Sequence, residues 1–256
     1  MKSIAEGFFT ALALYSVLPV PIGQWSKRNM RYTLCFFPLV GVAMGVILLL
    51  WYEVCVRFSV HAGLFAVFAT LLPEIISGGT HMNGFIHTVD ALACHGLAEQ
   101  KQDILKDTHA GISGIMLCAG LFLLRFGLWC QLYQTPYLLV LPAVGYSISR
   151  ALSALSIVFI SPAKQSGVVY LLSEAAAKKA SCITGFFYLV FFLGAVIWVY
   201  PVWGIVAFAA CLAFLGYYKR FCRWEFGGNA EGPAGFFVQT AELLFLFIAV
   251  IGGLWP

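Results

Sequence analysis

The chain has 256 residues, 61% hydrophobic and only 10% charged, with a formal net charge of +4. A soluble domain carries about 25% charged residues, so this composition excludes an ordinary soluble globule. The small charge excess gives no ground for a nucleic-acid partner, and apolar runs near the ~20 residues that span a bilayer point to membrane helices.

In chain order, residues 4–19 form a first apolar segment, closed by Leu18-Pro19-Val20-Pro21 with no A-x-A cleavage site, so it reads as a span and not a removed leader. The loop Trp25–Tyr32 carries Lys27, Arg28 and Arg31. Spans follow at 33–51, with Pro38 inside, and at 60–79, with Glu74 inside. Residues 78–114 are the exception: this stretch holds His81, His87, His95 and His109, four of the five histidines, together with Asp90, Glu99, Asp103 and Asp107. Further spans are predicted at 112–132, containing Arg125, at 136–160, containing Arg150, at 182–200 and 202–217 around Tyr200-Pro201, and at 236–254, containing Glu242. The expected fold is all-α: a polytopic membrane bundle of about eight spans, residues 1–256 forming one integral-membrane domain with its active site on the cytoplasmic face. Trp25, Trp51, Trp129 and Trp198 lie near predicted span ends, where interfacial anchoring is sufficient reason for a tryptophan.

The loops alternate in charge. Eleven lysines and arginines fall in loops 22–32, 80–110, 161–180 and 218–235, whereas the opposite loops hold Arg57, with Lys2 at the N-terminus. The excess of positive charge on the inner side of membrane proteins assigns the four basic loops to the cytoplasm of a cell (inner) membrane and both termini to the other side. The eight cysteines form no C-x-x-C pair and lie mostly in apolar segments, where a thiol packs as a small hydrophobe.

Within 78–114, Asn83, His87, Asp90 and Cys94 recur at steps of four, three and four, one face of a helix. Asp90 and Asp107 are oxygen donors suited to a hard cation that keeps waters or phosphates, with Asn83 and His87 completing the metal set and His81 and His87 near the chemistry. Asp107 and Thr108 also read as an N-cap for the next span. The loop 226–235 offers Gly227, Gly228 and Glu231 ahead of a span, where backbone N–H groups and a helix N-terminus suit phosphate; an inter-helix turn explains the same glycines. Arg150, Lys164 and His109 are the remaining substrate-binding candidates. Glu74, Arg125, Arg150 and Glu242 cost a few kcal/mol each in lipid and should face the bundle, either paired or serving a site.

At these residues the chain resembles the cobalamin synthase family, the adenosylcobinamide-GDP ribazoletransferases. The pattern G-G-x-H-x-D-G-x-x-D-T-x-D is matched at Gly78, Gly79, His81, Gly84, Thr88 and Asp90, with Asn83 and His87 in place of two aspartates. A second element resembles Asp107, His109, Gly111 and Gly114. L-P-V-P and F-P-x-x-G stand at 18–21 and 37–41. The last element matches Gly227, Gly228, Gly235 and Glu242, with Glu231-Gly232 where the family has Gly-Asp. The resemblance implies a magnesium-dependent transfer in late cobalamin biosynthesis. Adenosylcobinamide-GDP and α-ribazole, or its 5′-phosphate, would give adenosylcobalamin, or its 5′-phosphate, and GMP, with Arg150 and Lys164 on the diphosphate. It also implies the lipid bilayer as surroundings, and a homo-oligomer or association with other corrinoid-assembly enzymes. Two alternatives stand beside it: a catalytically impaired relative that binds corrinoid, motivated by Asn83, His87 and Gly232, and a small-solute membrane transporter, motivated by the charges inside spans.

Overall fold

The computed structural model describes residues 2–21 and 26–255. Trp25 lies outside the described residues. Among them the chain is helical, with α1 (Lys2–Tyr15), α2 (Lys27–Met30), α3 (Thr33–Arg57), α4 (Ala62–Ser77), α5 (Thr80–Ala93), α6 (Ala98–Ile104), α7 (Ile112–Leu132), α8 (Val140–Phe159, entered through a 3₁₀ turn at Pro136–Leu139), α9 (Gly167–Ala175), α10 (Lys178–Val199), α11 (Pro201–Phe226) and α12 (Glu231–Leu254). Six of these, the 3₁₀ turn counted with α8, are long and apolar enough to cross a membrane; a seventh span results when α4 and α5, bent by 94° at their junction, count as one. The protein is therefore a multi-pass membrane helical bundle.

The expected eighth span is α1, and it does not cross. Its 14 residues reach roughly 21 Å, short of the ~30 Å hydrocarbon layer. Glu6 pairs with Arg28 at 3.2 Å, Tyr15 stacks on Phe37, and the Val17 N–H donates to the Ile76 carbonyl. Both ends of α1 thus touch the basic end of the bundle, so its start lies beside the basic loops and not opposite them. Pro19 and Pro21 just beyond lack the N–H groups that a continuing helix would use.

Glycines let the long helices meet backbone to backbone. A Cβ at Gly41 would lie 2.2 Å from the Tyr146 carbonyl oxygen, and one at Gly45 2.5 Å from that of Ala143, so α3 and α8 cross at a small-xxx-small contact. Around it pack fully buried Phe37, Met44, Leu48, Phe65, Phe237 and Phe245. Trp129 is buried in this core and is not an interfacial anchor, whereas Trp198 is fully presented outward. Large apolar side chains such as Leu123, Phe186, Phe191 and Ile205 face outward on α7, α10 and α11, which suits lipid as the surrounding medium.

The charges inside the helices pair with one another. Arg150 bonds Glu242 at 2.7 Å, Arg125 lies 3.5 Å from Glu242 and 3.6 Å from Glu74, and Gln239 donates to Glu74 at 2.9 Å. Two arginines and two glutamates balance across α4, α7, α8 and α12.

The four basic loops converge at one end. The Ala177 N–H donates to the Arg31 carbonyl, Asn229 and Ser161–Ala163 exchange backbone bonds, Lys101 pairs with Glu225, and Lys164 pairs with Asp103 at 3.3 Å.

Candidate active site

The polar stretch owes its position to Gly78 and Gly79. Both adopt left-handed backbone, with φ of 64° and 73°, which glycine takes without steric cost. The resulting bend turns α5 across the basic end. There α5 meets the start of α12 through glycines. A Cβ at Gly235 would sit 2.6 Å from the His81 carbonyl oxygen, and one at Gly84 3.0 Å from that of Gly232. Phe85 stacks on Phe236 beside this crossing, with ring centroids 5.5 Å apart. The close approach places Asn83 and His87 beside Glu231.

Two cavities open at this crossing. The inner one, about 180 Å³, is walled by Tyr15, Phe37, His81, Ile157 and Leu172; the outer one, about 500 Å³, is walled by Gln102, Lys106, Asp107, Lys164 and Asn229. Asn83, His87, Leu105, Val169, Glu231 and Gly232 line both. His87 and His81 are buried, at 5% and 6% exposure, yet His87 Nδ1 and His81 Nε2 have no hydrogen-bond partner within the protein. Buried polar atoms normally find a partner; these two nitrogens are enclosed by the protein, and it is the remainder of each ring that lines the cavities. One oxygen of Glu231 accepts from the Val168 N–H, which ties α12 to α9.

The rim of the outer cavity is electrostatically tuned. Lys106 and Lys164 stand close enough to hydrogen-bond, so Lys164 beside it pulls the Lys106 amine below the ordinary lysine range, while Lys164 is raised by Lys106 and then by Asp103. Two adjacent amines competing for a proton form a receptor for a multiply charged anion. Asp107 accepts from the His109 backbone N–H at 3.0 Å and contacts its ring at 3.1 Å, and these bonds hold its carboxyl below the usual range.

The chain matches the sequence model described as cobalamin-5-phosphate synthase across residues 7–250. It belongs to the cobalamin-5-phosphate synthase family. Among similar proteins, an adenosylcobinamide-GDP ribazoletransferase of Lachnoclostridium phytofermentans is 33% identical over 96% of this chain and 94% of its own. Proteins of that name from Clostridium botulinum strain Alaska E43 and Geobacillus thermodenitrificans are 24% and 28% identical, each covering at least 95% of both chains. No solved structure matches.

Asn83, His87 and Gly232 all line both cavities. Glu231 also lines both, and Asp107 and Lys164 line the outer one. Other predicted site residues are placed elsewhere.

Asp90 does not line either cavity. Its two oxygens accept from the Gly111 and Gly114 N–H groups, each at 2.7 Å, and so cap α7 from 21 and 24 residues away. A carboxylate at a helix N-terminus is favoured by the helix dipole. A Cβ at either glycine would strike it, at 2.5 and 2.6 Å. Asp107 and Thr108 are therefore not the cap; the N-cap residue is Gly111. Arg150 is fully buried in the mid-bundle ion-pair network and lines neither cavity, lying behind the Phe37 ring. The Gly227–Gly228 loop has no free donors for phosphate: the Gly227 and Gly228 N–H groups donate to Cys222 and that of Asn229 to Ser161. Gly228 is there because a Cβ would lie 2.6 Å from the Ser161 carbonyl oxygen. His109 is exposed on the surface, bonded to Asp107.

No three His, Cys, Asp or Glu side chains among the described residues gather as a preformed metal site. What faces the outer cavity is a sparse set of oxygen donors: the Asn83 amide, Asp107 and Glu231. That set suits a cation completing its shell with water and substrate phosphate, the usual habit of Mg²⁺. Sequence reasoning missed Lys106, Tyr15 and Phe37 as site residues. Lys106 stood in view as a loop cation, but nothing local marks Tyr15 or Phe37 as cavity walls.

Proposed function

We propose that this protein is an adenosylcobinamide-GDP ribazoletransferase working at the cytoplasmic face of the cell membrane. It joins adenosylcobinamide-GDP and α-ribazole, or α-ribazole 5′-phosphate, to give adenosylcobalamin, or its 5′-phosphate, and GMP. The observation that carries this reading is the meeting of two cavities, one with the aromatic walls Tyr15 and Phe37 and one edged by Lys106 and Lys164, at Asn83, His87 and Glu231.

In the step, a ribose hydroxyl oxygen bonds to the cobinamide-linked phosphorus, the bond from that phosphorus to the GMP oxygen breaks, and the hydroxyl proton passes to the His87 imidazole. General-base help of this kind contributes about 10²–10⁴-fold. Lys106, Lys164 and the first turn of α12 neutralise the diphosphate as charge shifts toward the leaving GMP. The bend at Gly78-Gly79 and the glycine crossing fix His87 against Glu231, so positioning is built into the backbone. Mg²⁺, held by Asp107, Glu231 and the Asn83 amide oxygen together with substrate, would add charge neutralisation.

The test is a host lacking its own cobalamin synthase, supplied with cobinamide. Membrane-inserted wild-type protein is expected to restore growth, and the purified protein to release GMP only when both substrates are present. Folded protein that does neither rejects the reading and favours an impaired relative.

A further inference from the structure

Another cavity, of about 440 Å³, opens where α3 and α10 begin, and it shares no lining residue with the two at the α5–α12 crossing. Arg31, Tyr32, Lys178, Lys179 and Ile183 stand in its wall. The two helix starts are joined there: the Ala177 N–H donates to the Arg31 carbonyl at 2.8 Å, and Cys35 Sγ and Ser181 Oγ lie 3.7 Å apart in the core. Other cations of the basic end have carboxylates, Arg28 with Glu6, Lys101 with Glu225 and Lys164 with Asp103. Arg31, Lys178 and Lys179 have none among the described residues. The Arg31 guanidinium sits over the Tyr32 ring, 5.7 Å from its centroid. Three like charges around one open space repel each other until an anion lies between them.

The surroundings select the anion. From Lys179, the residues Ile183, Phe186, Phe187 and Val190 follow at helical spacing and share one face of α10. All four are exposed, between 52% and 67%, on a helix long and apolar enough to cross a membrane, so this face is turned to lipid. Cations at the head of an apolar stripe reproduce the layout of a phospholipid, with phosphate above and acyl chain below. A free phosphate ion would engage the cations and leave the stripe uncovered. A zwitterionic headgroup would bring its own ammonium against the same three cations, whereas a net-negative headgroup brings no such repulsion. Basic pockets between membrane helices bind anionic headgroups for these reasons.

We propose that the cavity between the starts of α3 and α10 binds the headgroup of one anionic glycerophospholipid, with Arg31, Lys178 and Lys179 around the phosphate and an acyl chain along Ile183, Phe186 and Phe187. The planar Arg31 guanidinium suits paired bonds to two phosphate oxygens, and the lysines act as point charges beside it. The lipid bridges α3 and α10 at the point where Ala177 meets Arg31. The site stands apart from the transferase cavities, and its occupancy requires neither substrate of that reaction.

The experiment is native mass spectrometry of the full-length protein in neutral detergent, titrated with dioleoylphosphatidylglycerol or dioleoylphosphatidylcholine. Wild type is expected to retain one phosphatidylglycerol, bound at least about tenfold more tightly than phosphatidylcholine. Neither inorganic phosphate nor glycerophosphoglycerol, the headgroup without chains, is expected to displace it. Each cation near a membrane surface is worth about fivefold in anionic-lipid binding, so Arg31→Gln with Lys178→Gln and Lys179→Gln should weaken phosphatidylglycerol at least about twentyfold. Lys219→Gln with Arg220→Gln and Arg223→Gln removes as much charge from the end of α11 and should leave it within about twofold of wild type. Should the first triple variant not fold, Lys179→Gln alone reads the loss at about fivefold. Equal losses in the two triple variants would mean diffuse attraction with no site, and equal binding of phosphatidylcholine would mean no selection for charge. Displacement by inorganic phosphate would make the cavity a site for a free ion. Each of these three results overturns the proposal.

Discussion

The bundle holds two polar regions, and they are built on opposite rules. In the middle, Glu74, Arg125, Arg150 and Glu242 are charged and surrounded by apolar helices, and each charge has its opposite within 3.6 Å. The Arg150 guanidinium nitrogens left over lie near aromatic faces, with Phe37 and Tyr146 centroids 6.0 Å away. At the basic end, by contrast, His81 and His87 keep ring nitrogens unspent, Lys106 faces its like-charged neighbour, and the groups border 180 and 500 Å³ of space. The opening beside Arg125 and Glu242 measures about 10 Å³, room for one water at most, which offers a solute no path. The contrast teaches that charge inside an apolar chain is a poor pointer to function once it is paired; open space bordered by polar and cationic groups is the better one.

Substitutions can break or sharpen this contrast. The largest effect belongs to the middle. Glu242→Leu strands the buried Arg150 guanidinium and leaves Arg125 with Glu74, and losing one side of a buried pair costs about 3–5 kcal/mol. Thermal unfolding in detergent should show the loss, and a wild-type melting curve would mean the network is not structural. The counterpart at the basic end is His87→Ala, expected to lower the rate of GMP release by about 10³-fold while the melting temperature holds; wild-type turnover would remove His87 from the chemistry. Next comes Asp90→Ala, which deprives the α7 start of two charge-assisted bonds worth about 2–3 kcal/mol together. Here stability should fall while activity per folded molecule is kept, and the reverse pattern would return Asp90 to the active site.

Lys106→Ala is expected to raise KM for adenosylcobinamide-GDP by about tenfold, the scale of one charged hydrogen bond. Because Lys164 depresses the Lys106 amine, Lys106 loses its charge at a lower pH than an ordinary lysine, and the anion draws the proton back. KM for the donor should therefore climb as pH rises through that lowered value, and Lys106→Arg should flatten the climb. The smallest effect is that of Asp107 on folding. Its carboxyl is depressed in the folded state by His109, so its contribution is present above the unfolded-state value and is lost as pH falls through the folded one. Asp107→Asn should shift the acid limb of unfolding slightly toward lower sensitivity, read by melting temperature against pH.

Much of this architecture is legible in the sequence because hydrophobic length is a one-dimensional property. The crossing helices from α3 onward and the clustering of basic loops follow from runs and charges, whereas the bend at Gly78-Gly79 is a finding of the structure. The failures share a cause. Asp90 looks like a metal ligand because its acceptors, the Gly111 and Gly114 N–H groups, lie more than twenty residues on and carry no side chain to announce them. Gly227 and Gly228 look like a phosphate cradle because the chain cannot show that Cys222 and Ser161 already take the donors. Arg150 looks available until α12 brings Glu242 to it. In each case the deciding partner is distant in sequence. The first apolar run misleads differently: helix length, not hydrophobicity, stops α1 from crossing.

That short first helix has a practical corollary. Tyr15 and Leu14 belong to the chamber wall, and the segment is held by ring contacts of Tyr15 with Phe37 and His81 and of Phe8 with Phe36, a backbone bond to Ile76 and an exposed pair at Arg28. The far terminus is remote from all of this, since Gly253 packs against Thr135 at the opposite pole of the bundle. Affinity tags and reporter fusions therefore belong on the carboxyl end, while trimming or loading the amino end would reshape the chamber wall.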